Sequence, residues 1–369
     1  MPDFSTILRH HRGKITLAAA ALALVVAAGW WRHGITRREN LLLTTPRLAI
    51  ESLAAKSLYF NGPAQPWLLA LRPDLLTAED RDVHSVRYRE FAQAVASPPL
   101  FRLLDRKQHF DTLLFVGDPS QYRALLDHLV ERKDFALAYV DHTSMVFKRS
   151  TPAPWALKDL AAVRARLGQM TAGETADFLA LTAAKLTTAR RESDAKSLLD
   201  EALALDAKCV DAWNALAGYE MERGEFANAL EDTGRALSLD AKHLGALATR
   251  TQVFYATKRY NEAYALSKQV VERLPDDPNV LFKHAQIAHE AHAYTTEIAT
   301  LEKLIALAEA DQRSTTGYRL YLAQACTAAG KAQPAIDNFT RVLADPDLPA
   351  DQRKFSTESL ERIKNRSGL

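Results

Sequence analysis

Residues 176 to 209, ADFLALTAAKLTTARRESDAKSLLDEALALDAKC, align without a gap on residues 210 to 243, VDAWNALAGYEMERGEFANALEDTGRALSLDAKH. A period of 34 residues constrains the fold more than any other feature of the chain. A unit of that length is one pair of helices, which cannot bury its apolar face alone and has to stack on its neighbours. Further units begin at Leu244 and Pro278, and a fifth begins near Thr316 after a four-residue insertion. In each unit the first helix carries a bulky residue at its fourth position and a small one at its eighth; the second carries Ala at the twentieth and a small or apolar residue at the twenty-seventh. Trp213, Leu216, Ala217, Ala229 and Ala236 of one unit thus answer to Leu179, Thr182, Ala183, Ala195 and Ala202 of the preceding one. Small residues let paired helices approach closely, and bulky ones fill the seam between neighbours.

This pattern is identified as the tetratricopeptide (TPR) repeat, with five repeats over residues 176–349. The resemblance implies an all-α solenoid whose first helices line a concave, partner-binding face. Two departures stand out: Glu297 occupies a position where Ala is expected, and the proline that closes the second helix survives only as Pro275. The fourth repeat is therefore expected to be distorted or to have shifted helix boundaries. Residues 350–369, with an amphipathic stretch from Asp351 to Lys364, would cap the open end.

In this register the concave face shows Asp211, Asn214, Met221 and Glu222, then Gln252 and Tyr255, then Phe282, Gln286 and His289, and finally Gln324. Amides beside aromatic and thioether surface suit an extended peptide held by backbone hydrogen bonds. The expected partner-binding set is Asn214, Met221, Gln252, Tyr255, Phe282, Gln286 and His289. For each of them the plainer alternative is a solvated helix face. The Lys, Arg and Asn cluster with which co-chaperone repeats clamp a C-terminal carboxylate is missing, which disfavours a chaperone adaptor. Residues 175 to 345 hold 19 basic and 24 acidic residues, and the whole chain carries a formal charge of only +2. That balance argues against a nucleic-acid partner.

The N-terminus departs from a soluble protein. ITLAAAALALVVAAGWW, Ile15 to Trp31, runs without a charge between Lys14 and Arg32. At ~1.5 Å per residue it spans about 25 Å, enough for a hydrocarbon core if the basic flanks snorkel and the tryptophans sit at the interface. The reading is a single transmembrane helix (15–31) after a short arm (1–14). A cleaved secretory signal is the alternative, since Val26-Ala27-Ala28 resembles a cleavage site; two tryptophans directly after it argue for the anchor. Arg9, Arg12 and Lys14 balance Arg32, Arg37 and Arg38, so the positive-inside rule does not orient it. A short arm, one span and a large C-terminal body make a signal-anchor layout, which places the body outside the cytoplasm, in the periplasm of a bacterium.

Between them, residues 45–151 read as a small α/β domain, joined to the repeats by a connecting segment (152–175) with a helix over 154–167. Strands are expected at 57–62, 112–117, 135–140 and 144–149, with helices around 88–96 and 121–131. The strand–turn–helix TLLFVGDPSQYRALL invites a phosphate-binding reading, but only Gly117 precedes Pro119, and neither GxGxxG nor GxxxxGK[ST] is present. Asp118 reads instead as an N-cap with Pro119 at the first helical position.

FALAYVDHTSMVFKR, with Phe135, Leu137, Tyr139, Asp141, Val146, Phe147 and Arg149, resembles the soluble extracytoplasmic domain that follows the membrane portion of bacterial dolichyl-phosphate-mannose-type (family 39-like) glycosyltransferases. The resemblance would place catalysis in a multi-span membrane part that this chain lacks, so it implies an outside location rather than a transferase.

Other constellations are weaker. Cys209 and Cys326 stand far apart, without the spacing of a disulfide framework or a zinc site. HEAH, at 289–292, is one residue short of HExxH, and His284, His289 and His292 read as packing or groove histidines. Glu79, Asp80 and Asp82 read as a solvated helix start rather than a glycosidase pair. No nucleophile elbow is present. The expectation is a membrane-anchored, non-catalytic interaction scaffold with no cofactor and no metal, binding a protein of the cell envelope through its TPR groove. A permanent structural subunit of an envelope or membrane complex is the alternative, and a saccharide-binding middle domain the remoter one.

Overall fold

The computed structural model describes residues 46–149, 155–167, 170–310 and 313–367. The expected arm and transmembrane helix lie outside the described residues, among which no helix is long and apolar enough to cross a membrane. The chain divides into two compact units, with the boundary between Glu201 and Ala202.

The first unit contains α1 (Arg47–Glu51), β1 (Leu58–Phe60), α2 (Gln65–Leu71), α3 (Val86–Ala94), α4 (Pro98–Gln108), β2 (Thr112–Val116), α5 (Arg123–Glu131), β3 (Phe135–Val140), β4 (Ser144–Arg149), α6 (Asp159–Leu167) and α7 (Ala172–Thr188); α8 (Glu192–Leu205) runs across the boundary. The sheet has the order β1-β2-β4-β3. β1 and β2 are parallel, so a crossover must join them, and α2 to α4 supply it. All five residues of β2 are buried, as a continuous apolar strand in the middle of a covered sheet should be. Tyr59 sits in the aromatic core, with ring centroids 5.0 Å from Phe91, 5.2 Å from Phe101 and 5.5 Å from Phe110. Its hydroxyl donates to the Phe91 carbonyl at 2.9 Å, which offsets the cost of burying the phenol. Beyond β1, Asn61 accepts from the Val116 N–H at 3.0 Å and donates to its carbonyl at 2.8 Å, extending the pairing with a side chain.

Two local expectations are corrected. Pro119 opens a 3-10 turn, Pro119–Tyr122, so α5 starts only at Arg123 and Asp118 precedes that turn instead of capping an α-helix. The Gln121 N–H donates to the Asp118 carbonyl at 3.1 Å, the i to i+3 bond of the tighter winding. Gly117 is required there by its φ of +95°, not by crowding, since a Cβ would meet nothing within 4 Å. Asp80, in turn, is not solvated but only 3% exposed. It accepts from the Thr77 N–H and hydroxyl at 2.9 and 2.7 Å and from Arg87 at 2.6 Å, because the chain folds back as a short turn before α3 begins under the Ser85 cap.

The β3–β4 residues that carry the glycosyltransferase resemblance have structural roles. Asp141 closes the hairpin by accepting from the Thr143 and Ser144 N–H groups at 2.7 and 2.8 Å. Arg149 pairs with Asp105 at 2.5 Å and with Asp134, and lies 4.3 Å over the Phe135 ring. Arg132 joins the same group, 3.0 Å from Asp105 and 2.5 Å from Asp134. The helix of the first repeat, α7, packs on this sheet: the buried Lys185 ammonium donates to the His142 carbonyl at 2.9 Å, and the His142 and Phe178 rings lie 5.1 Å apart. Burial draws the Lys185 amine down to about 8 against the opposing pull of Asp141 and Asp118.

The second unit is helical. It holds α9 (Val210–Glu222) with α10 (Phe226–Leu239), α11 (Leu244–Ala256) with α12 (Tyr260–Arg273), α13 (Pro278–Glu290) with α14 (Tyr294–Ala310), α15 (Thr316–Ala328) with α16 (Ala332–Leu343), and a last helix, α17 (Ala350–Ser367). First helices start at Val210, Leu244 and Pro278 in register with the 34-residue period, and α15 starts after the four-residue insertion. Most of that insertion is taken up by α14, which has 17 residues.

The turn within each pair is the same. Gly224, Lys258, His292 and Gly330 have φ of 77°, 58°, 56° and 71°, and the next residue's N–H donates back into the first helix at 2.8 to 2.9 Å. This is a left-handed helix stop with its characteristic long-range bond. Ala217, Ala229, Ala236 and Ala263 are wholly buried, the close approach that the small-residue register predicts. The fourth repeat keeps the common turn, and the expected change is a shifted boundary, the longer second helix; at the unusual position His289 answers the buried Glu297. α17 contributes Ile363 to the core that Phe339 and Ile336 form.

Candidate functional site

First helices α11, α13 and α15 bring Tyr255, Phe282, Gln286, His289, Tyr321 and Gln324 to one cleft of about 140 Å³. Ala285 and Glu290 of α13, and Glu297 and Leu301 of the second helix α14, complete it. The helical period explains the gathering. Phe282, Gln286 and His289 are spaced by four and three residues and share one face, and the stacking of repeats places equivalent faces side by side.

The walls are aromatic. Phe282 and Tyr321 meet edge to face at 5.1 Å, Tyr255 meets Tyr260 at 5.6 Å, and Tyr255 and Tyr321 remain 38% and 40% exposed. The floor is polar. His289 Nδ1 lies 3.1 Å from both oxygens of Glu297, whose carboxyl burial pushes up and the histidine pulls back down. Burial, then Glu290 and Tyr260, push the Tyr255 phenol up.

Of the seven residues expected to bind a partner, Tyr255, Phe282, Gln286 and His289 line this cleft, and Gln324 joins them. Asn214, Met221 and Gln252 do not. Asn214 accepts from the Thr249 hydroxyl at 2.9 Å and ties α9 to α11; nearby, Asp211 stands 3.1 Å from His243. Met221 packs on the core of Ala217, Ala229 and Val253. Gln252 is half-buried, away from the cleft lining. Sequence reasoning missed Glu290, Tyr321 and the part played by Glu297, although a Glu in an Ala position was a visible signal.

The three histidines separate. His284 is buried, 2.8 Å from the Ser267 hydroxyl and stacked on Tyr264, while His292 holds the left-handed turn, 2.8 Å from the Tyr294 hydroxyl. Among the described residues no cluster suited to a metal ion is present.

No family model matches the sequence, and no curated protein does either. Solved structures with a similar helical arrangement include YrrB, a TPR protein with an unusual peptide-binding site, at 11% identity and a TM-score of 0.44, covering 55% of this chain and 98% of that one. Pseudomonas aeruginosa PilF follows at 18% and 0.41, over 53% of this chain and 91% of its own. TTC0263, a thermophilic TPR protein of Thermus thermophilus, is similar at 18% and 0.34, over 48% and 95%. At these TM-scores the likeness carries no argument; the TPR-type repeat rests on the 34-residue spacing and the recurring left-handed turn. None of the comparisons extends the glycosyltransferase resemblance of the middle domain.

Proposed function

We propose that the chain is a non-catalytic scaffold that holds an extended segment of a protein partner along the face of α11, α13 and α15. One observation carries the reading: residues from three successive repeats converge on a cleft with uncovered aromatic rings and amide side chains. Such a face offers apolar contact along its length and hydrogen bonds to a peptide backbone. Asn214 and Met221, by their places, brace the helices behind the groove, and Gln252 stands away from the cleft. The apolar run at 15–31 supports a membrane anchor. With that anchor the scaffold body is extracytoplasmic and its partner belongs to an envelope complex, where confinement to the membrane surface raises the effective concentration.

The test is capture of partners by the full-length tagged protein in mild detergent, beside a Tyr255→Ala, Phe282→Ala, Gln286→Ala variant whose fold is verified by circular dichroism. Loss of a stoichiometric partner from the variant is the expected result. Identical partners from both proteins would move the contacts elsewhere and favour a permanent structural subunit.

A further inference from the structure

The size of the cleft limits its occupant. At about 140 Å³ the cleft is smaller than the ~300–1,000 Å³ of a typical small-molecule site. It accommodates one long side chain. Charge narrows the choice further: Glu290 and Glu297 line the cleft, and neither Lys nor Arg does. Among the described residues Glu290 forms no salt bridge.

Some rings elsewhere in the second unit already carry a cation of this chain. Arg235 lies 4.7 Å over Trp213, Arg259 4.4 Å over Phe254, and Lys268 4.9 Å over Tyr264. Among the described residues no cation lies over Tyr255, Phe282 or Tyr321. Ring faces are electron-rich, and a cation placed on them gains more as it is desolvated.

We infer that the cleft takes a lysine or arginine side chain of the partner's extended segment, its stem against Tyr255, Phe282 and Tyr321 and its charge answered by Glu290. This rests on the reading of the face as a peptide groove and names what that groove selects. An acidic side chain would meet Glu290 with like charge, and an apolar one would desolvate that carboxylate without a partner.

The experiment uses the full chain in detergent and four fluorescein-labelled nonapeptide pools whose central residue is Lys, Arg, Glu or Leu and whose flanks are mixtures of Ala, Ser and Gly. Fluorescence polarisation should show the Lys and Arg pools binding about tenfold more tightly than the other two. Glu290→Lys, at the rim of the cleft and with its fold verified by circular dichroism, should reverse the order in favour of the Glu pool. Equal affinity for all four pools, lost in the Tyr255→Ala, Phe282→Ala, Gln286→Ala variant, would leave the peptide groove standing and overturn the basic preference. Preference for Glu or Leu, or no binding by any pool, would also overturn it; the groove itself is judged separately by partner capture.

Discussion

In the sheet-containing unit the buried carboxylates of Asp80 and Asp105 each face arginine, Asp80 with Arg87 and Asp105 with both Arg132 and Arg149. In the repeat unit the buried Asp232 also meets an arginine, Arg235 at 3.0 Å, but Glu220 lies beside that carboxylate and Glu297 beside a histidine. A mixed sheet is assembled from segments far apart in sequence, and matched charges help specify which segments meet. Helical pairs need no such device, because their register is set by small residues at fixed spacing. Two of their acids, Glu220 and Glu297, form no arginine pair among the described residues. In the second unit two such acids, Glu290 and Glu297, line the cleft whose aromatic rings stay uncovered.

Asp105→Ala should break the first half of this contrast most severely. It leaves Arg132 and Arg149 with only the more exposed Asp134 as their shared acceptor, at a cost of about 2 kcal/mol. Faster hydrogen exchange at the β2 amides would register it; unchanged exchange would mean that the charges do not specify the sheet.

Glu220→Gln should act in the opposite direction. Burial, then the neighbouring Asp232 carboxylate, push Glu220 up to about 7, and its Oε2 is buried with no hydrogen-bond partner among the described residues. The folded chain thus binds that proton more tightly than the unfolded one. The associated stability is fully present below the ordinary glutamate range and is lost as pH rises through about 7. The amide should remove this slope and raise stability above neutrality by roughly 1 kcal/mol, after allowance for solvent screening. Melting curves from pH 4.5 to 8 test both statements, and a variant less stable than the parent at pH 8 would refute them.

The smallest effects belong to the repeated turn. Gly224→Ala should cost about 1 kcal/mol, because φ is +77° there. Lys258→Gly, at the equivalent position with φ of +58°, should be neutral or gain up to about 1 kcal/mol. Opposite shifts in melting temperature would confirm that one backbone device serves all the pairs.

Much of the fold was legible from residue order. The strand runs at 135–140 and 144–149 match β3 and β4, and the 34-residue register places Ala217, Ala229 and Ala263 in the buried seams. The face of α13 was legible as well, since Phe282, Gln286 and His289 follow helical spacing. Asn214 and Met221 do not line the cleft, because the same spacing marks a groove residue and a brace between helices alike. Asp80 misled because a turn-forming acid looks solvated until Arg87 folds over it.

By itself, then, the sequence determined the repeat, its period and which residues must be buried, because helix and strand periodicity are local and are written in the order of apolar and small side chains. Only the tertiary structure decided that His289 would meet Glu297, that Tyr255 and Tyr321 would share a cleft with Phe282, and that Lys185 of the first repeat would join the sheet through His142. Those pairings depend on distances between segments remote in the chain, and packing alone sets them.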